Sequence, residues 1–192
     1  MTKTTLKRCL LSIGTFLTLA SSARADVKLP GIFSDHMVLQ QNVSVPVWGW
    51  AEPGEKVTVT IAGQSRSTKA DATGNWKLKL AKLSADSPQT LTVAGHNTIV
   101  IQDVLIGEVW LGSGQSNMQL SVNDVTNAWQ EKASATFPQI RMFTVARHPA
   151  ITPQTNCEGK WLVCAPETVG GFSAAAYFFG RELHQKLAVP VV

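Results

Sequence analysis

The residues best placed to do chemistry are Gly112, Ser113, Gly114, Gln115, Ser116 and Asn117. They follow directly on an apolar run, with Val104, Leu105 and Ile106 and then Val109, Trp110 and Leu111, which reads as a buried strand. Two glycines just beyond it free the backbone for a tight turn. A hydroxyl set past the end of a buried strand falls where open α/β sheets place their ligand crevice, which makes Ser116 the candidate nucleophile. A serine in that role needs a base to take its proton and preorganised donors for the oxyanion. The local pattern excludes two familiar arrangements. Met118 stands two places after the serine, where the elbow of α/β-hydrolases needs a small residue. Gly112-Ser113-Gly114 lacks the lysine of a phosphate-binding loop. On local pattern alone, a structural serine in a glycine-containing loop remains the plainer alternative.

The elements that would position this loop differ on its two sides. Residues 26–103 read as short alternating strands: Val43, Val45 and Val47, then Val57, Val59 and Ile61, then Trp76, Leu78 and Leu80, then Leu91 and Val93, then Ile99 and Ile101. Turn chemistry separates them at Glu52-Pro53-Gly54, at Asp71 to Asn75 and at Gly95-His96-Asn97. This spacing predicts an antiparallel β-sandwich. Residues 104–192 read as the opening of a parallel α/β domain. A helix start and a loop occupy 119–138, and strands are expected at Ile140–Val145 and Trp161–Val163 with a loop between them. Phe172, Ala176, Phe179, Leu183 and Leu187 form one face of an amphipathic helix. A further strand begins at Ala188, and the sheet is incomplete at Val192.

The first 25 residues read as an export signal. Lys3, Lys7 and Arg8 precede the apolar stretch Leu10 to Ala20, and Ala23-Arg24-Ala25 fits a cleavage site. The whole chain has 17 Lys and Arg against 13 Asp and Glu; cleavage after Ala25 removes four basic residues and no acid, leaving a formal charge of zero. No basic run survives as a nucleic-acid footprint. The expected location is periplasmic or secreted, with no integral membrane segment after cleavage. Cys157 and Cys164 are then the remaining cysteines, and they form either a short-range disulfide or two buried thiols. No metal site is expected from them. His36, His96, His148 and His184 all read as structural rather than catalytic. Trp48, Trp50 and Trp76 suit sugar stacking and core packing equally.

Several runs together resemble the sialate O-acetylesterase family, whose catalytic half is an SGNH-type hydrolase domain. They are Asp35-His36-Met37-Val38-Leu39-Gln40, Val47-Trp48-Gly49, Pro53-Gly54, Val57-Thr58-Val59 and Asp103 through Leu111 into Gly114-Gln115-Ser116-Asn117-Met118. Phe172-Ser173-Ala174 and Tyr177-Phe178-Phe179-Gly180-Arg181 extend the likeness. The resemblance implies an α+β chain in two parts: the β-sandwich, then the N-terminal portion of an SGNH (flavodoxin-like) α/β parallel-sheet domain. It implies a serine esterase that removes O-acetyl groups from sugars through an acetyl-serine intermediate, without cofactor. Ser116 falls on the nucleophile position and its backbone N–H on an oxyanion donor, with Gly114, Gln115 and Asn117 shaping the loop. The general base and the other oxyanion donors are expected beyond Val192, so this chain alone is expected to be inactive. Two alternatives stand beside this one: an acetylxylan-type esterase, and a non-catalytic glycan-binding or interaction fragment.

Overall fold

A computed structural model describes residues 26–84 and 87–192, so the expected export signal at 1–25 lies outside the described residues. The fold is a mixed, sheet-rich α+β arrangement. Its largest sheet joins β1 (Val38–Gln40), β7 (Thr98–Gly107), β6 (Gln89–Ala94), β3 (Lys56–Ile61) and β4 (Gln64–Lys69) in that order. A two-stranded sheet pairs β2 (Val45–Trp50) with β5 (Asn75–Leu80). Both sheets turn their alternate apolar residues into one core. Val45, Val47, Trp76, Leu78 and Leu80 meet Val57, Val59, Ile61, Leu91, Val93 and Ile101 there, which is why the period-two pattern was readable.

Two features of this half depart from expectation. The pairing is not wholly antiparallel, because β1 runs parallel to the second half of β7, Val38 opposite Leu105 and Gln40 opposite Gly107. The change of partner follows a bulge: Leu91 pairs with Ile101 but Gln89 with Val104, and Asp103 takes φ 54 between them. β7 therefore runs unbroken across position 103/104. The second departure is β4, which alternation did not reveal because its residues, QSRSTK, are polar and mostly exposed. It is added as an edge by the turn at Ala62 and Gly63, both with positive φ, as a two-residue hairpin needs.

Beyond β7 come a single helical turn α1 (Ser116–Gln119), a 3₁₀ turn at Val122–Asp124, α2 (Ala128–Ser134), β8 (Phe137–Val145), β9 (Gly159–Cys164) and α3 (Ala174–Leu187). The expected strands are present, but β8 and β9 form an antiparallel pair rather than neighbours in a parallel sheet. No helix lies between them to carry the chain back, so the second strand returns alongside the first. A parallel element exists one step later. Val191 bridges in parallel to both Glu108 and Ile140, placing residues 190–192 between the end of β7 and β8.

The α3 face differs from the expected one. Ala174, Tyr177 and Gly180 are buried, whereas Phe179 and Leu187 are exposed. Phe172 is buried as its apolar character suggests, but it precedes the helix, so the helical stripe starts two residues later. Tyr177 and Phe172 close a second core with Val122, Ile140, Cys164 and Val169. The two described cysteines are free thiols and not the disulfide that was one of the two expectations: Cys164 is buried in this core, where desolvation pushes its thiol up to about 11, and Cys157 sits in the β8–β9 loop. No described helix is long and apolar enough to cross a membrane.

A charged clamp ties β8 to the first half. Arg141, 4% exposed, donates to Asp103 Oδ2 at 2.7 Å and to the Pro138 carbonyl at 2.8 Å, while His36 Nδ1 meets the same carboxylate oxygen at 2.7 Å. Burial alone would push the Asp103 carboxyl up, but the hydrogen bonds and charges of Arg141 and His36 outweigh it and hold the carboxyl below its ordinary value. A lowered folded pKa contributes stability that is present above the unfolded value and fades as pH falls through the folded one. Asp103→Asn is therefore expected to lose stability at neutral pH and to show a smaller further loss on acidification. Urea midpoints at about pH 6 and about pH 3 measure this, and an identical acid-induced drop in both proteins would contradict it.

Candidate active site

The loop carrying Ser116 is held at both ends and exposed in the middle. On the incoming side, Glu108 N–H donates to the Pro190 carbonyl at 2.8 Å and Trp110 N–H to the Val192 carbonyl at 2.9 Å. Gln40, at the end of β1, accepts from Val109 N–H at 2.8 Å. The Glu108 carboxylate accepts in turn from Gln41 at 2.9 Å and more weakly from Gln40 at 3.3 Å. On the outgoing side, Val122 N–H donates to the Phe172 carbonyl at 3.0 Å and Ala174 N–H to the Leu120 carbonyl at 2.8 Å. The segment after Ser116 is thus stitched to the start of α3.

Met118, which excluded the hydrolase elbow, has a positional role of its own. Its sulfur accepts from the Ser173 hydroxyl at 3.3 Å, and Ser173 caps α3. A side chain at Gly112 would stand 3.3 Å from that sulfur, and one at Gly114 would stand 3.1 Å from Met118 Cβ. The two glycines let the loop fold closely over Met118, a reason for their spacing that local pattern did not reveal.

Ser116 opens α1 and is exposed, as are Gly114, Gln115 and Asn117. Among the described residues its hydroxyl has no hydrogen-bond partner. The turn's first backbone acceptors are Gln115, taking Gln119 N–H, and Ser116, taking Leu120 N–H, both at 3.0 Å. The N–H groups of Ser116, Asn117 and Met118 precede any helical acceptor, as at every helix start. A donor-lined end beside an unengaged hydroxyl is what acyl transfer needs, short of a base.

The histidines are each engaged elsewhere. His36 faces Asp103. His96 N–H donates to Glu55 at 2.6 Å, and its ring lies 3.3 Å from the other oxygen of that buried carboxylate. His148 lies 3.2 Å from Glu158. His184 Nδ1 donates to the Val189 carbonyl at 2.7 Å. None is hydrogen-bonded to Ser116. Among the described residues no three of His, Cys, Asp and Glu gather closely enough to hold a metal ion.

Comparison with known proteins first supplies a class. A carbohydrate acetylesterase from Xanthomonas citri shares this fold with a TM-score of 0.84 and 36% identity, over 86% of this chain and 39% of that one. Curated relatives then supply the family resemblance. The chain is 30% identical to the sialate O-acetylesterase of Mus musculus and 31% identical to that of Homo sapiens, in each case over 88% of its own length. The sialate O-acetylesterases are homologues of this chain, as the motifs implied. The chain spans about a third of the length of these relatives. No family model matches it.

Proposed function

We propose that this chain is the nucleophile-bearing part of an exported serine carbohydrate esterase that removes O-acetyl groups from sugars. In this reading the two sheets of the first half are a β-sandwich, and the residues after β7 open an SGNH-type domain. The observation that carries it is Ser116, with its hydroxyl unengaged and helix-start N–H groups beside it, on a loop found in a homologue of acetylesterases. Ser116 Oγ attacks the acetyl carbonyl, and the Ser116 N–H stabilises the oxyanion that forms. The sugar hydroxyl leaves with a proton, and water then releases acetate and restores the serine. The base that accepts the serine proton comes from residues outside this sequence.

The test is acetate release by the full-length natural protein from O-acetylated sialic acid and from acetylated xylan. Faster release from the sialic acid supports the family's substrate. Faster release from xylan assigns the protein to plant polysaccharide instead. Release from neither overturns the esterase reading.

A further inference from the structure

We propose that the outer face of the β2–β5 sheet is a second carbohydrate site, which binds a pyranose oligosaccharide and shares no residue with the Ser116 loop. Strand alternation sorts the tryptophans. Trp76, 3% exposed, turns inward across from Gly49, where a side chain would stand 2.9 Å from its ring. Trp48 and Trp50 are half-buried and project from the opposite face, two residues apart. Trp48 pairs across the strands with Lys77, and Trp50 with Asn75, so two indoles alternate with two hydrogen-bonding side chains. Phe33 braces the Trp48 ring edge-on at 4.8 Å between centroids. Trp50 is fixed through its backbone, which exchanges hydrogen bonds of 2.8 and 2.9 Å with Lys28.

Trp48, Trp50, Asn75 and Lys77 line a cavity of about 520 Å³, which Trp76 also reaches beside Gly49, and Asp71 and Thr155 complete its polar side. Asp71 Oδ1 accepts from the Thr73 hydroxyl and from the Thr73 and Asn75 N–H groups, which keeps it a carboxylate able to accept from sugar hydroxyls. Lys77 forms no ion pair among the described residues and is open to donate. Thr155 comes from the β8–β9 loop, which is anchored here by Asn156 accepting from Gly31 N–H at 2.9 Å.

Flat indole faces take the apolar side of a pyranose ring, and the alternating polar groups suit its hydroxyls. The cavity falls in the roughly 300–1,000 Å³ range of small-ligand sites. A nucleic acid would need an excess of cations, and Asp71 opposes one. The site stands on the tryptophan face and is independent of catalysis at Ser116.

The test is titration of the full-length natural protein with xylohexaose, cellohexaose and sialyllactose, followed by tryptophan fluorescence. Saturable binding of at least one is expected, weakened about tenfold by Trp50→Ala and several-fold by Lys77→Ser, and unchanged by Ser116→Ala. Lys77 is exposed, so its variant keeps the test open if the tryptophan variant fails to fold. No saturable binding up to millimolar sugar, or binding that both face variants leave intact, overturns the proposal. Loss of binding in Ser116→Ala would also overturn it, placing the sugar at the esterase loop instead.

Discussion

Ser116→Ala in the full-length natural protein is expected to lower hydrolysis of an aryl acetate by at least about a thousandfold while leaving the melting temperature unchanged. Both halves of that expectation come from the loop. The hydroxyl contributes nothing to the fold, since it has no partner among the described residues and the side chain is exposed. Alanine is at least as good a helix former as serine at the start of α1, so the turn is retained. The backbone N–H also survives, and some acceleration from the oxyanion donors remains. What disappears is the atom that, in the proposed mechanism, forms the acyl bond. The measurement is kcat/KM beside a thermal melt. Activity within tenfold of the unsubstituted protein would remove Ser116 from the mechanism, and a large drop in melting temperature would make the loss of activity uninformative about chemistry.

The strands of the first half were legible because they bury one face only. Val57, Val59 and Ile61 are buried while Lys56 and Thr60 are exposed, and Trp76, Leu78 and Leu80 alternate with Lys77 and Lys79 in the same way. β4 carries no such signal, since an edge strand with little buried surface leaves no apolar period. Parallel pairing of β1 with β7 was hidden for a different reason. It joins segments some 67 residues apart, and alternation reports which face is buried but not which neighbour a strand takes. In α3 the period was right and the phase was not. Phe179 and Leu187 are apolar yet exposed, and Phe179 meets Trp110 edge-on at 5.2 Å outside either core.

The candidate site was legible as a location but not as a mechanism of support. Glycines next to Ser116 marked a turn, yet their closeness to Met118 depends on where α3 begins. Gln40 belonged to a recognisable run without an assignable role, and it becomes readable once β1 is seen to end beside Val109. Arg141 sits within an apolar strand pattern, and only its partners, Asp103 and Pro138, show why a guanidinium is tolerated at 4% exposure. Such features depend on contacts made across long stretches of chain, which composition and spacing do not encode.

Gly107→Ala should be among the most destabilising single substitutions in the second half of the chain. Gly107 closes β7, pairs with Gln40, and accepts from Gln41 N–H at 2.8 Å. A methyl group added there would stand 2.1 Å from the Pro190 carbonyl oxygen and 2.8 Å from the proline ring. That carbonyl cannot simply swing away, because it accepts from Glu108 N–H, and the next residues are pinned on both sides. Val192 N–H donates to Glu108, and Val191 N–H donates to Gln139. The strain must therefore push residues 190–192 out from between β7 and β8, and Trp110 then loses its acceptor at Val192. A cost of about 3 kcal/mol is expected, lowering the melting temperature by roughly 6–12 °C. Amide exchange at Val191 and Val192 should quicken before the first-half strands are affected. Gly171→Ala is the control, since a methyl there meets nothing within 4 Å and the position has no positive φ. If both variants melt together with the unsubstituted protein, the close approach of Gly107 to Pro190 does not hold residues 190–192 in place.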